Sequence, residues 1–291
     1  YTIDNFYTID NFYTIDNFYT IDNFYTIDNF YNGRNWRHPR GVGKSAFRGI
    51  YHASYAKRTG RRPWFARAAQ YGSRAAYWNS LLSDAPIQHT SVQIDTVYKE
   101  HPSQLYAEIP DGADLLYGYF QSPLYFIAES DSIIAELKLL GRRDELRSRI
   151  GPGCNISMHF RLGDYKRVGA PLLDFNYYRS ALAAVVSDLG PSTVWYFFEP
   201  EDAEQVTGWV SRLQEQFPAL AYCPVQGGAR ADWEDLLTMS LCDHHIIANS
   251  TFSWWGAFLN PSTKKKVACP ANWLGNPEVA ANMYLDNWIR I

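Results

Sequence analysis

Along the second half of the chain, short apolar runs alternate with longer stretches whose apolar residues recur every three to four positions. Short apolar runs bounded by turn signals read as buried strands, and the three-to-four spacing reads as amphipathic helix. On that rule residues 155–160 form a strand, 175–189 a helix, 193–198 a strand and 201–217 a helix with an acidic start. A weak strand follows at 219–223, then a helix at 232–241 with Asp232 as its cap. The run 245–248 is again a strand, 254–259 an apolar, aromatic helix stopped by Asn260-Pro261, and 266–269 a last strand. Strands alternating with helices imply parallel pairing through right-handed crossovers.

The first half is less regular. Residues 45–57 read as a helix stopped at Thr59-Gly60, 74–82 as helical, 91–98 as an alternating strand and 115–120 as another strand. Pro123 suits the first turn of a helix. Residues 124–140 carry helical spacing up to Gly141, and a short helix covers 143–149. Gly151-Pro152-Gly153 then breaks the chain, which places a domain boundary there: 31–150 and 151–291.

Ahead of both lie five identical copies of Tyr-Thr-Ile-Asp-Asn-Phe in residues 1–30. An even period keeps each position on one side of an extended chain. Tyr, Ile and Asn then share one face and Thr, Asp and Phe the other, so neither face is cleanly apolar. The segment reads as a flexible or weakly β-structured extension. Self-association through this aromatic, proline-free repeat is the competing expectation.

Composition narrows the function classes. The net charge of −3 over 291 residues gives no basic excess for nucleic acid. The four cysteines, Cys154, Cys223, Cys242 and Cys269, form no C-x-x-C pair and sit beside apolar segments, as small buried thiols do. No apolar run approaches the ~18 residues of a membrane span. The chain opens on Tyr1 rather than Met, so an anchor ahead of it stays open: Golgi membrane with one, cytoplasm without. Gly41-Val-Gly-Lys-Ser45 lacks the first glycine of a nucleotide P-loop, having His38 there, and reads instead as a glycine turn into a helix.

Candidate chemistry gathers at two strand ends. Ligands of parallel sheets bind at the carboxyl ends of the strands. At one end stands His159-Phe-Arg-Leu-Gly-Asp-Tyr165, where Arg161 suits a bidentate grip on phosphate. At the other, Asn249-Ser-Thr-Phe-Ser253 opens a helix, where backbone N–H groups suit an anion. An ordinary surface corner and an ordinary capped helix account for each motif taken alone.

Together these motifs resemble the α-1,2-fucosyltransferases of glycosyltransferase family 11. Gly118-Tyr-Phe-Gln-Ser122, Asp235-Leu-Leu-Thr-Met-Ser240 and the loop Gly41-x-Gly43 are similar to further segments of that family, in the same order. The resemblance implies an α/β, GT-B-like fold: two Rossmann-like parallel-sheet domains with a cleft between them. The amino-terminal domain would take the acceptor and the carboxyl-terminal one GDP-fucose. It implies an inverting transfer of L-fucose to the 2-hydroxyl of a galactose-terminated glycan, with no cofactor and no metal. On this reading Arg161, His159 and Asp164 are catalytic. Asn249, Ser250, Thr251, Phe252, Ser253, Trp254, Asp235 and Glu199 hold the donor. The base stays open among Asp164, Asp174, Glu199 and Asp235. Departures are Lys44-Ser45 after the second glycine and Leu162 where a second arginine is common. A transferase for another nucleotide sugar and a non-catalytic glycan-binding relative remain as alternatives. Oligomeric state is left open.

Overall fold

A computed structural model describes residues 42–61, 70–71, 74–75, 77, 80–83, 94–101, 103, 105–226, 231–273 and 275–291. The hexapeptide repeat lies outside the described residues. The chain forms two compact units, the second comprising Gly41–Ala46 and Lys138–Ile291.

In the first unit, α1 (Val42–Arg58) supplies the stretch from Phe47 onward. Two strand pairs follow: β1 (Gln70–Tyr71) with β2 (Arg74–Ala75), antiparallel, and β3 (Val97–Lys99) with β4 (Leu115–Tyr117), parallel. A 3₁₀ turn, Pro123–Tyr125, is capped by the Ser122 hydroxyl, and α2 (Ser130–Glu136) closes the unit. Ile50, Tyr51, Phe120, Phe126 and Ile133 are buried in it. The Glu100 carboxylate accepts from the N–H groups of Tyr119 (2.6 Å) and Phe120 (3.0 Å), and holds Phe120 in the left-handed region at φ 47°. Two expectations fail in this region. Described parts of 74–82 are strand and turn, not helix. The stretch 124–140 is not one helix: it is interrupted at Lys138, which is left-handed at φ 55°, and Gly141 lies inside the next helix rather than ending one.

The second unit begins with that helix, α3 (Leu139–Glu145), earlier than the glycine–proline break suggested. The reason is packing: α3 and the 3₁₀ turn after it are fastened to this unit. Arg149 pairs with Glu234 at 2.8 Å, and Arg143 donates to the Leu259 carbonyl. Then come β5 (Cys154–His159), α4 (Gly163–Val168), α5 (Phe175–Val186), β6 (Ser192–Phe198), α6 (Ala203–Gln216), β7 (Ala221–Gln226) and α7 (Asp232–Ser240). The unit ends with β8 (His244–Ile246), α8 (Thr251–Phe258), β9 (Val267–Cys269), α9 (Pro277–Met283) and β10 (Ile289–Arg290). The last helix and strand had no expectation.

All six strands of this unit pair in parallel, in the order β10-β9-β8-β5-β6-β7. That is the doubly wound order 3-2-1-4-5-6 read from the other edge, so the topological switch point lies between β5 and β8. Pro224 sits in β7, the edge strand, where a missing N–H is tolerated. Alternation on β5 and β6 sorts the faces. Ile156, Met158, Val194 and Tyr196 join Tyr178, Leu182, Val206 and Leu213 in one core, under α5 and α6. Phe197 instead joins Val225 and Met239 on the α7 side. The α/β class with parallel sheets is thus observed, and the described strands of the carboxyl-terminal unit follow the Rossmann-like doubly wound order.

Candidate functional site

Both candidate turns leave the sheet at this switch point, one from β5 and the other from β8. At the end of β5, His159 is buried and its ring lies 5.4 Å from that of Phe252. Burial, reinforced by the Arg161 charge, pushes its pKa down to about 3, so it is a neutral imidazole at neutral pH. Its Nδ1 is buried without a hydrogen-bond partner.

Arg161 comes two residues later. Its Nη1 donates to Glu199 Oε1 at 3.1 Å, and its guanidinium stands 5.4 Å from the centre of the Tyr165 ring, within cation–π range. Glu199 therefore fixes Arg161. Leu162 is fully buried in the α5–α6 core, so this position has no room for a second exposed guanidinium. Asp164 lies on α4, and its side chain falls outside the described residues.

The second turn begins at Asn249. Its Nδ2 donates to the Pro171 carbonyl at 2.9 Å, its own carbonyl accepts from Tyr165 Oη at 2.8 Å, and its Oδ1 is buried without a partner. The two turns are thus stitched together, with one unpartnered buried polar atom on each side. Buried polar atoms without partners are rare in folded proteins and call for an explanation, a ligand among them.

At the start of α8, the Ser250 hydroxyl accepts from Phe252 N–H (3.3 Å) as an ordinary N-cap. The Ser253 hydroxyl accepts from Ala248 N–H (3.2 Å) and donates to the Ser250 carbonyl (3.3 Å). Those two hydroxyls are engaged with the turn's own backbone. What the turn offers an anion is the first-turn N–H groups of α8 other than that of Phe252. Thr251 lies in that turn and is nearly buried.

The expectation for Trp254 is corrected. It is fully buried, its indole N–H donates to the Met283 carbonyl at 2.7 Å, and its ring packs on Phe258 and Trp288. Trp255 is fully buried as well, so of the three aromatics only Phe252 keeps exposed surface.

Asp235 stands on α7. A Cβ built on Gly256 would lie 2.8 Å from Met239 Cβ, so α7 and α8 touch closely here. Both helices follow parallel strands, so both begin at the carboxyl edge of the sheet. Of the other base candidates, Asp174 caps α5 through Tyr177 N–H (3.0 Å), which gives it a structural task. Asp232 is the first residue of α7 rather than its cap; Glu234 reaches back to the Ala231 N–H instead.

One feature escaped sequence reasoning. The junction between β6 and α6, where the sequence offered Glu199 to the donor and the rest as an acidic helix start, places Glu199, Glu201 and Asp202 around the Arg161–Gly163 corner. Asp202 Oδ2 accepts from Gly163 N–H at 2.7 Å and Oδ1 from Lys166 Nζ at 3.0 Å. An acidic helix start carries no signal of such a distant partner.

Residues 105–291 match the family described as Glycosyl transferase family 11. Among curated proteins, the chain is 29 % identical over 145 residues to the "O-antigen biosynthesis glycosyltransferase WbnK" of Escherichia coli, covering 46 % of this chain and 44 % of that one. It is 25 % identical over 183 residues to the "Alpha-1,2-colitosyltransferase" of Escherichia coli, covering 60 % and 61 %. The matched segments thus span 44 % and 61 % of these relatives. A solved glycosyl transferase family 9 structure from Veillonella parvula overlaps 52 % of this chain and 40 % of its own, at 13 % identity and a TM-score of 0.32.

Proposed function

The chain belongs to glycosyl transferase family 11, and on that premise we propose that it transfers L-fucose from GDP-fucose to the 2-hydroxyl of a terminal β-galactoside, with inversion. The observation that carries this reading is the meeting, at one switch point, of a fixed guanidinium and a helix N-terminus. Arg161 and the first turn of α8 leave adjacent strands and are joined through Tyr165 and Asn249.

In the reaction the acceptor oxygen bonds to the anomeric carbon of the sugar. The bond from that carbon to the β-phosphate oxygen breaks, and its electron pair leaves on GDP. The hydroxyl proton passes to a base. Negative charge grows on the pyrophosphate as the bond breaks, and preorganised positive groups aimed at growing charge act most strongly there. Arg161 and the α8 N–H groups supply that potential in this reading. The unpartnered His159 Nδ1 and Asn249 Oδ1 suit hydroxyl groups of the donor, since an amide oxygen accepts and a phosphate has nothing to donate. The base is not assigned.

A GDP-release assay with GDP-fucose and a panel of β-galactosides tests the proposal. Arg161→Ala should lower kcat by about 10²–10³-fold while the thermal midpoint stays close to that of the parent. Full turnover in that variant overturns it. The colitosyltransferase relative favours a second reading, a different GDP-linked deoxy sugar as donor. Turnover with such a donor and none with GDP-fucose selects it.

A further inference from the structure

Asp202 opens α6, where an aspartate ordinarily caps its own helix through a side-chain oxygen. Here it makes no such bond. Its carboxylate is buried, with 1 % of the residue exposed, and faces another element. One oxygen accepts the Gly163 N–H at 2.7 Å and the other the Lys166 ammonium at 3.0 Å. Gly163 is the first residue of α4, and the residue before it, Leu162, gives that helix no side-chain cap. Asp202 thus caps α4 instead of α6.

The substitution matters because α4 has six residues, too few for a helix to hold itself in water. The same short helix carries Tyr165, which lies beside the Arg161 guanidinium and donates to the Asn249 carbonyl. Asp202 and Glu199 sit at the two ends of one 3₁₀ turn, and Asp202 N–H donates to the Glu199 carbonyl at 2.9 Å. One turn therefore brackets both sides of the corner: Glu199 grips the guanidinium and Asp202 fixes where α4 starts. Two carboxylates crowd this glycine. A Cβ on Gly163 would meet Glu201 Oε1 at 2.1 Å and Asp202 Oδ2 at 3.2 Å.

We infer that Asp202 is a positioning residue for sugar transfer: by capping α4 from the β6–α6 junction, it sets where Arg161 and Tyr165 stand. The kinetic part of this inference rests on the transferase reading above.

The test compares Asp202→Ala, Asp202→Asn and Lys166→Met by donor kinetics and by amide hydrogen exchange. Asparagine keeps an oxygen for the Gly163 N–H; alanine does not. Asp202→Ala should lower kcat by about ten- to a hundredfold, as misplacement of a catalytic group does. Its donor KM should move less than about threefold, because Arg161 acts mainly as charge develops. Amides of residues 161–168 should lose protection, with the rest of the sheet unchanged. Asp202→Asn should recover the protection and most of kcat, and Lys166→Met, which keeps the Gly163 cap but leaves the Asp202 charge unpaired, should lose clearly less of both than Asp202→Ala. Unchanged exchange at 161–168 in a folded Asp202→Ala overturns the inference. So does unchanged kcat in that variant, or Lys166→Met reproducing the full loss, which would move the role to the ion pair. Should the parent transfer no sugar from any GDP-linked donor, the transferase reading falls, and the exchange measurement alone decides whether Asp202 holds α4.

Discussion

The two turns that meet at the switch point are held by opposite means. The one after β5 is fastened by charge: Glu199 on Arg161, and Asp202 on Gly163 and Lys166. The one after β8 is fastened by neutral groups: the Ser250 and Ser253 hydroxyls turned back on their own backbone, and two fully buried tryptophans behind them. A partly exposed ion pair contributes little to stability but defines where a charge sits. A buried indole contributes much to stability and places no charge. In this site, then, stability and chemistry are assigned to different walls, and substitutions should separate them.

The largest expected effect is on the neutral wall. Trp254→Ala removes a fully buried indole and the hydrogen bond to the Met283 carbonyl. Truncating a buried tryptophan costs about 3–5 kcal/mol, against about 5–15 kcal/mol for a whole domain. Urea denaturation should show the midpoint falling steeply. A loss below about 1 kcal/mol would mean that α8 is not anchored by this residue.

On the charged wall the order reverses. Glu199→Gln should change stability by less than about 1 kcal/mol, because the Glu199 side chain is 35 % exposed and solvent screens the pair. The donor kcat/KM should nevertheless fall about tenfold, since Arg161 loses the partner that aims it. If this variant lost stability as Trp254→Ala does, and kept its kinetics, the contrast between the walls would be wrong. A smaller effect is expected at Ser250→Ala, which removes the α8 cap and should cost about 1 kcal/mol with little change in donor kinetics.

How much of this was legible depends on how far each signal reaches along the chain. Periodicity is local, and it located β5, α5, β6, α7, β8 and α8 to within a few residues. The pairing of the 159–165 and 249–253 turns followed from strand alternation, because parallel crossovers bring strand ends to one edge. The break at Lys138 was not legible, since a left-handed lysine leaves no glycine or proline to read. Trp254 was misread because an aromatic beside a polar cluster has the same local pattern whether it walls a pocket or fills a core. That Ser250 and Ser253 bond their own turn was not legible, because a hydroxyl that caps its own helix has the same local pattern as one that awaits an anion. Asp202 was missed for a different reason: its partners are thirty-six and thirty-nine residues away, and only the order of strands brings them together.

One effect is shared by both walls: the response to acid. His159 belongs to the charged wall and His245 lies in β8 beneath the neutral one. His159 is pushed down to about 3 by burial and by Arg161, and His245 well below the ordinary value by burial, Lys265 and His244. His245 is completely buried, with Nδ1 on the Ser157 hydroxyl (2.8 Å) and Nε2 on Asn260 Nδ2 (2.9 Å). Above the ordinary histidine value of about 6.5 both states are neutral, so neither group makes stability depend on pH. Below it the unfolded chain binds protons that the folded chain refuses, and stability falls with falling pH, by up to about 1.4 kcal/mol per unit for each group. The window for His159 runs from the ordinary value down to its folded one. Between pH 7 and 5 ordinary carboxylates stay charged, so the slope there reports chiefly on buried histidines. Urea midpoints across that interval should decline in the parent. His159→Phe, which keeps a ring against Phe252, should remove one share of the decline and leave the shares that belong to His245 and to His244, which burial also pushes down. An unchanged slope in that variant would mean that His159 takes its proton in the folded state, and the charged wall would then carry one more cation than the geometry allows.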